Sequence, residues 1–252
     1  MEWLVSFVVI NLLIAHLPQD LKFLDINNCD ILEEGIRSLP SHLTHLDISD
    51  ASANITDDGI LSLSRTLTYL NIEMAKKITD QGVRNFPPYL THLDLYWNET
   101  LTDNGILQLP RCLKYLDIGT NPNSTLRHLP PNLGYLCLDW KSSIDDADLT
   151  RLPTSLMTLS LYCATEITDD GLKSLPRSLT SLNLGRNEKI TDKGIKNLPT
   201  GMLKIKLPVC SGITALEFRK LFPNIEKYKI GLHRSHPEKK MRCVAINDED
   251  YQ

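Results

Sequence analysis

The side chains able to do chemistry in this 252-residue chain are six cysteines, seven histidines and a recurring column of aspartates. Their spacing argues against catalysis. There is no Gly-rich phosphate loop, no Gly-x-Gly-x-x-Gly turn and no His-Glu-x-x-His helix. No Cys-x-x-Cys pair supports a zinc or thiol-redox site. Cys29, Cys112, Cys137, Cys163 and Cys210 are scattered, with Cys243 near the end, as expected of reduced thiols in the cytosol. His45 and His92 lie two strands apart on the reading below, roughly 9–10 Å, too far to share a metal ion. The expectation is no enzyme, no metal and no cofactor.

The aspartates are instead placed by a repeat. Copies of one phrase start at Leu17, Leu39, Leu63, Phe86, Leu109, Leu129, Leu152, Leu175, Leu198 and, more loosely, Leu221. The steps are 22, 24, 23, 23, 20, 23, 23, 23 and 23 residues. Such self-similarity marks a solenoid, in which each copy buries its apolar edge only against its neighbours. Apolar residues at +4, +7 and +9, such as Leu179, Leu182 and Leu184, read as a short strand with its leucines in the core. A Thr-Asp-x-Gly phrase follows at Thr56, Thr79, Thr102, Thr168 and Thr191, where Thr suits a helix N-cap and Asp the first turn. Proline at 40, 110, 153, 176 and 199 then ends the copy. Between Ile118 and Leu129 the fifth copy is short, lacks the Thr-Asp-x-Gly phrase and predicts a loop in place of a helix.

The phrase LxxLxLxxN/C with a helical segment resembles the leucine-rich repeat, over about residues 17–230. Its ITDxG(I/L) portion looks most like the cysteine-containing subtype of F-box/LRR substrate receptors. Its LPxxL opening resembles LPX and FNIP-like repeats. The Cys or Asn position, +12, holds Cys29, Asn98, Asn121, Asn187 and Cys210, whereas Ala51, Ala75, Lys141 and Ala164 depart from it. The resemblance implies an α/β leucine-rich-repeat solenoid, a curved horseshoe with a parallel sheet on its concave face and short helices on its convex face. It also implies a protein-binding role, including substrate recognition in ubiquitination. The Asn at +12 is expected to bond loop backbone and be inaccessible.

Around 27 basic and 31 acidic residues the formal charge is −4, which argues against a general polyanion-binding role. No window approaches the ~20 apolar residues of a membrane span. Residues 1–16 are apolar and read as a cap or partial repeat, since Ile14 precedes Leu17 as Ile36 precedes Leu39. The competing reading is a signal peptide; Asn-x-Ser/Thr sequons at Asn54, Asn98 and Asn123 accompany it, and the protein is then a secreted or surface recognition receptor or effector. The cap reading places the protein in the cytoplasm. Repeats fill 17–232, and 233–252 form a polar tail.

The positions left free by the repeat are the candidate site. At +6 stand Phe23, His45, Tyr69, His92, Tyr115 and Tyr135; at +8 stand Asp25, Asp47, Asn71, Asp94 and Asp117; at +10 and +11 stand Tyr96, Trp97, Asp139, Trp140 and Tyr162. Aromatic residues beside carboxylates suit a protein segment carrying Lys or Arg, through cation–π contact and carboxylate pairing. The expected partner-binding set is His92, Asp94, Tyr96, Trp97, Tyr115, Asp117, Tyr135, Asp139, Trp140 and Tyr162. Stacking of the same rings across strands would instead stabilise the sheet without a ligand. Farther along, Lys204, Lys206, Lys227 and Lys229 are expected to make the end of this face basic.

Overall fold

The computed structural model describes residues 11–29, 31–50, 54–123, 125–141, 143–208 and 215–230. Most of the apolar N-terminal segment, Cys210, Cys243 and the polar tail lie outside them. Each copy contributes one short parallel strand: β1 Phe23–Asp25, β2 His45–Asp47, β3 Tyr69–Asn71, β4 His92–Asp94, β5 Tyr115–Asp117, β6 Tyr135–Cys137, β7 Thr158–Ser160, β8 Ser181–Asn183, β9 Lys204–Leu207 and β10 Lys227–Ile230. The strands follow one another in the sheet in chain order. Pairing is in register, so His45 lies opposite Tyr69 and Tyr69 opposite His92. The chain divides into two compact units, residues 1–136 and 137–252.

In both units the +4, +7 and +9 residues form the core. Leu43, Leu46, Ile48, Leu113, Leu116 and Ile118 are buried in the first, and Leu179, Leu182 and Leu184 in the second. The apolar residue before each Thr-Asp phrase joins them, as Ile78, Leu101 and Ile167 show. Hydroxyls close the remaining backbone between copies. Thr68 Oγ1 donates to the Thr44 carbonyl, and Thr91 Oγ1 to the Thr68 carbonyl. Ser64 Oγ and Ser178 Oγ donate to carbonyls one copy back. Cys112 stands at the place that Ser178 fills in its copy, its thiol donating to the Pro88 and Leu90 carbonyls.

Most helices are short, four to six residues, including Glu33–Arg37, Asp57–Leu61, Asp80–Val83, Asp103–Gln108 and Asp192–Ile195, and Ala215–Leu221 is longer. As expected, Thr79, Thr102 and Thr191 cap theirs, each accepting from an N–H two residues on. Thr56 differs. Its side chain makes no cap and donates to Glu33 instead. Behind Thr168 the segment is a 3₁₀ turn, Gly171–Ser174, rather than an α-helix. Between β5 and β6 there is no helix among the described residues, as the short fifth copy implied.

The Thr-Asp-x-Gly phrase does more than start a helix. Among the described residues, first-turn aspartates reach into the next copy. Asp57 accepts from the N–H and hydroxyl of Thr79, Asp80 from those of Thr102, Asp146 from those of Thr168 and Asp169 from those of Thr191. The glycine makes room for this clasp: a Cβ on Gly82, Gly105, Gly171 or Gly194 would lie under 3.0 Å from the carboxylate of the preceding copy. Thr125 keeps the clasp with Asp103 even without a helix. At the start of the first unit Asn11 serves the same way, accepting from the Leu32 N–H, with Ile14 buried behind it.

The +12 asparagines are buried as expected. Asn98 Nδ2 donates to the carbonyls of Ala75 and Ile78, while its Oδ1 accepts from the N–H groups of Thr100 and Leu101. The Asn98 sequon is therefore closed, whereas Asn54 and Asn123 are exposed. Among the described residues no helix is long and apolar enough to cross a membrane.

Candidate functional site

Two devices shape the open face of the sheet. In-register parallel strands set the +6 side chains ~4.8 Å apart, within the range where rings stack. At each strand's end, the +8 Asp or Asn accepts from the N–H two residues on, as in Asp47 to Ser49, Asp94 to Tyr96 and Asp117 to Gly119. This Asx-turn bends the chain. The +11 residue then adopts the left-handed region, with φ of 63° at Trp97, 60° at Trp140, 62° at Cys163 and 58° at Arg186. Such a conformation in a bulky residue costs on the order of 1–3 kcal/mol and persists because its surroundings impose it.

In the first unit the rings of Phe23, His45, Tyr69, His92, Tyr115 and Tyr135 form one continuous stack. Successive centroids are 5.4, 5.8, 4.2, 3.7 and 4.1 Å apart, and the Tyr115–Tyr135 planes diverge by 9°. The ladder covers the faces of His92 and Tyr115 on both sides. Cation–π contact from a ligand is therefore closed at these two rings, and their edges remain. Trp97 is open, 40% exposed, tilted against Tyr96 with centroids 5.6 Å apart and with Lys76 Nζ 5.7 Å from its ring.

Beside the ladder runs the acidic column. Asn71 Nδ2 donates to Asp47 Oδ2 at 3.1 Å. Burial pushes the Asp94 carboxyl up to about 6, against the pull of the Tyr96 N–H, and Asp47 adds to the rise. Burial raises Glu73 too, assisted by Asp94, Asp50 and Asp47. His92 is driven down to about 4 by burial. The Tyr115 hydroxyl is held well above its ordinary range by burial, with Tyr135, Asp94 and Asp117 contributing. Asp117 is buried. It serves the turn rather than the surface.

The second unit is built differently. Trp140, 48% exposed, meets Tyr162 edge-on at 5.4 Å. Arg186 places its guanidinium carbon 5.8 Å from the Trp140 ring and 5.5 Å from Tyr162, and Lys206 Nζ lies 5.0 Å from Tyr162. Asp139 Oδ1 accepts from the Tyr162 N–H at 2.9 Å. Burial raises its carboxyl, opposed by the Ser160 hydrogen bond, the Tyr162 N–H and Lys206. Of the expected set, His92, Asp94, Tyr96, Trp97, Tyr115, Asp117 and Tyr135 thus belong to one unit's face. Asp139, Trp140 and Tyr162 belong to the other's, where the rings already carry cations. Sequence reasoning missed Arg186. The signal was available: it is the +11 residue of its copy, in the column of Trp140 and Cys163. Among the described residues no group of three His, Cys, Asp or Glu is placed to hold a metal ion.

Comparison with known proteins agrees with this architecture. Residues 40–64, 63–86, 87–109 and 176–198 match the family model described as leucine-rich repeat. The structure is similar to the leucine-rich repeat-containing protein LegL7 of Legionella pneumophila, with 20% identity, a TM-score of 0.59 and 87% of this chain against 86% of that one. It is similar to the internalin inlF of Listeria monocytogenes, with 25% identity, a TM-score of 0.64 and coverage of 84% and 61%. The chain thus spans less than two thirds of that internalin. For internalin C2 of the same organism the values are 20%, 0.56, 90% and 92%. No curated protein matches the sequence. The chain carries stretches that match the leucine-rich repeat and has the fold of a leucine-rich-repeat solenoid, with one parallel strand per copy in its sheet.

Proposed function

We propose that this protein is a non-enzymatic binding module and that the open sheet face of its first unit takes a protein segment carrying Lys or Arg. One observation carries the reading: carboxylates crowd beside the ring ladder, so that, on top of burial, Asp47 adds to the rise of Asp94, and Asp94, Asp50 and Asp47 add to that of Glu73. An incoming ammonium or guanidinium group relieves that repulsion through charge-assisted hydrogen bonds. Trp97 offers an exposed ring, which an incoming cation would share with Lys76, and the ladder supplies a rigid floor that loses little entropy on binding. The test is titration of a fluorescent Lys/Arg-rich peptide against the full chain. Asp47→Asn/Asp94→Asn and Trp97→Ala should each weaken binding ~10-fold or more while thermal melts stay cooperative. Unchanged affinity in both folded variants refutes the reading.

The resemblance to F-box/LRR receptors supports a substrate-selecting role in ubiquitination, in the cytoplasm. Capture from lysate with the wild type and a Trp97/Tyr115/Tyr135 triple alanine variant tests this. A cullin assembly that co-purifies, with partners lost only from the variant, supports it. Cleavage of residues 3–15 in the mature protein would place it on the secretory route instead.

A further inference from the structure

We propose that the open face of the second unit, over β8–β10, is a separate docking surface for a peptide segment rich in Asp and Glu. This goes beyond the basic-segment reading and concerns the opposite ligand charge. In the first unit the +8 column is largely aspartate; here it is Ser160, Asn183 and Lys206, while the +6 column is Thr158, Ser181, Lys204 and Lys227. Register places Ser181 beside Lys204, Asn183 beside Lys206 and Lys204 beside Lys227. Lys204 is exposed and Lys206 half-buried, alternating with buried Ile205 and Leu207.

The cations nearest the rings are held in place before any ligand arrives. Arg186 lies against Trp140 and Tyr162, and Lys206 against Tyr162. Aromatic faces attract cations and limit their rotamers, so less freedom is lost when a carboxylate binds. Their acidic neighbour is Asp139, one of whose oxygens is committed to the Tyr162 N–H. Among the described residues, the ion pairs Arg151–Asp148, Lys173–Asp170 and Lys189–Glu166 of this unit involve neither Arg186 nor Lys206. Lys204 and Lys206, two apart on one strand, stand ~6.7 Å from each other along it, as do alternate side chains of an extended peptide. Arg186 adds a planar fork suited to carboxylate. A short acidic segment senses this local field within ~8 Å, whereas a long polyanion also meets a chain of formal charge −4. The geometry therefore favours an acidic peptide over a nucleic acid.

The experiment is fluorescence anisotropy of a short labelled Asp/Glu peptide with the full chain at physiological salt. Arg186→Gln/Lys206→Gln should weaken binding at least ~10-fold. Lys189→Gln, whose lysine pairs with Glu166 outside these columns, should leave it unchanged. Asp47→Asn/Asp94→Asn should also leave it unchanged, which separates this surface from that of the first unit. The proposal is overturned if the folded wild type does not bind the peptide. It is equally overturned if the folded double variant binds as well, or if a single-stranded oligonucleotide of equal charge binds more tightly than the peptide.

Discussion

Replacing Asp80 and Gly105, singly and together, tests whether the repeat phrase is a clasp between copies. Asp80 accepts from the N–H of Thr102 at 2.9 Å and from its hydroxyl at 2.5 Å. Hydrogen bonds to a charged acceptor contribute roughly 1.5–3 kcal/mol each, and partial exposure places these two in the lower half, so Asp80→Ala should cost about 3–4.5 kcal/mol. Gly105→Ala alone drives a Cβ into the Asp80 carboxylate, under 3.0 Å away. Overpacking of this kind costs about 1–3 kcal/mol. With Asp80 already truncated, the collision is gone. Of the three nearest atoms, Leu101 Cδ2, at 3.2 Å, then remains against the new methyl. Alanine then gains up to ~1 kcal/mol over glycine in a helix. The double variant should therefore be more stable than the sum of the singles by about 1–3 kcal/mol. Urea unfolding followed by circular dichroism measures all four proteins. Additivity within ~0.5 kcal/mol would refute the clasp, because two residues that share no contact simply add.

Three further outcomes are expected. Asp94 titrates near 6 instead of 3.8, so the folded state holds its proton more tightly and this group's contribution to stability falls as pH rises from about 4 to 6. His92, near 4 instead of 6.5, has the opposite sign, its contribution rising with pH between about 4 and 6.5. The two oppose each other, so Asp94→Asn should steepen the gain in melting temperature from pH 4 to 6.5 and His92→Gln should reverse it; a slope unchanged in both variants contradicts the assignment. Asn98→Ala orphans the carbonyls of Ala75 and Ile78 and the N–H groups of Thr100 and Leu101, and should destabilise by about 2–4 kcal/mol in the same urea assay. Cys112→Ser should change stability by less than ~0.5 kcal/mol because serine fills that place at Ser178, whereas Cys112→Val should cost about 1–3 kcal/mol for the lost donor.

The sequence by itself determined the repeat, the strand in each copy, the core leucines and the buried asparagines. These follow from local periodicity, and a solenoid repeats one local solution against identical neighbours. The absent helix of the fifth copy was legible for the same reason. The Thr-Asp-x-Gly phrase was visible, but its meaning was half hidden. Helix capping is an interaction within one copy, whereas the donors that the aspartate accepts from and the carboxylate that crowds the glycine lie 22 or more residues away. Tertiary structure alone decided how the candidate rings are used. Register stacked the +6 rings so tightly that the faces of His92 and Tyr115 became inaccessible, and it committed Asp117 to a turn. The left-handed turn at +11 brought Arg186 onto Trp140 and Tyr162, so that residues read together as a cation-seeking patch separate into an acidic face and a basic one. Columns can be listed from spacing, but whether neighbouring side chains meet face to face, edge to face or through a carboxylate depends on distances of a few ångströms between copies.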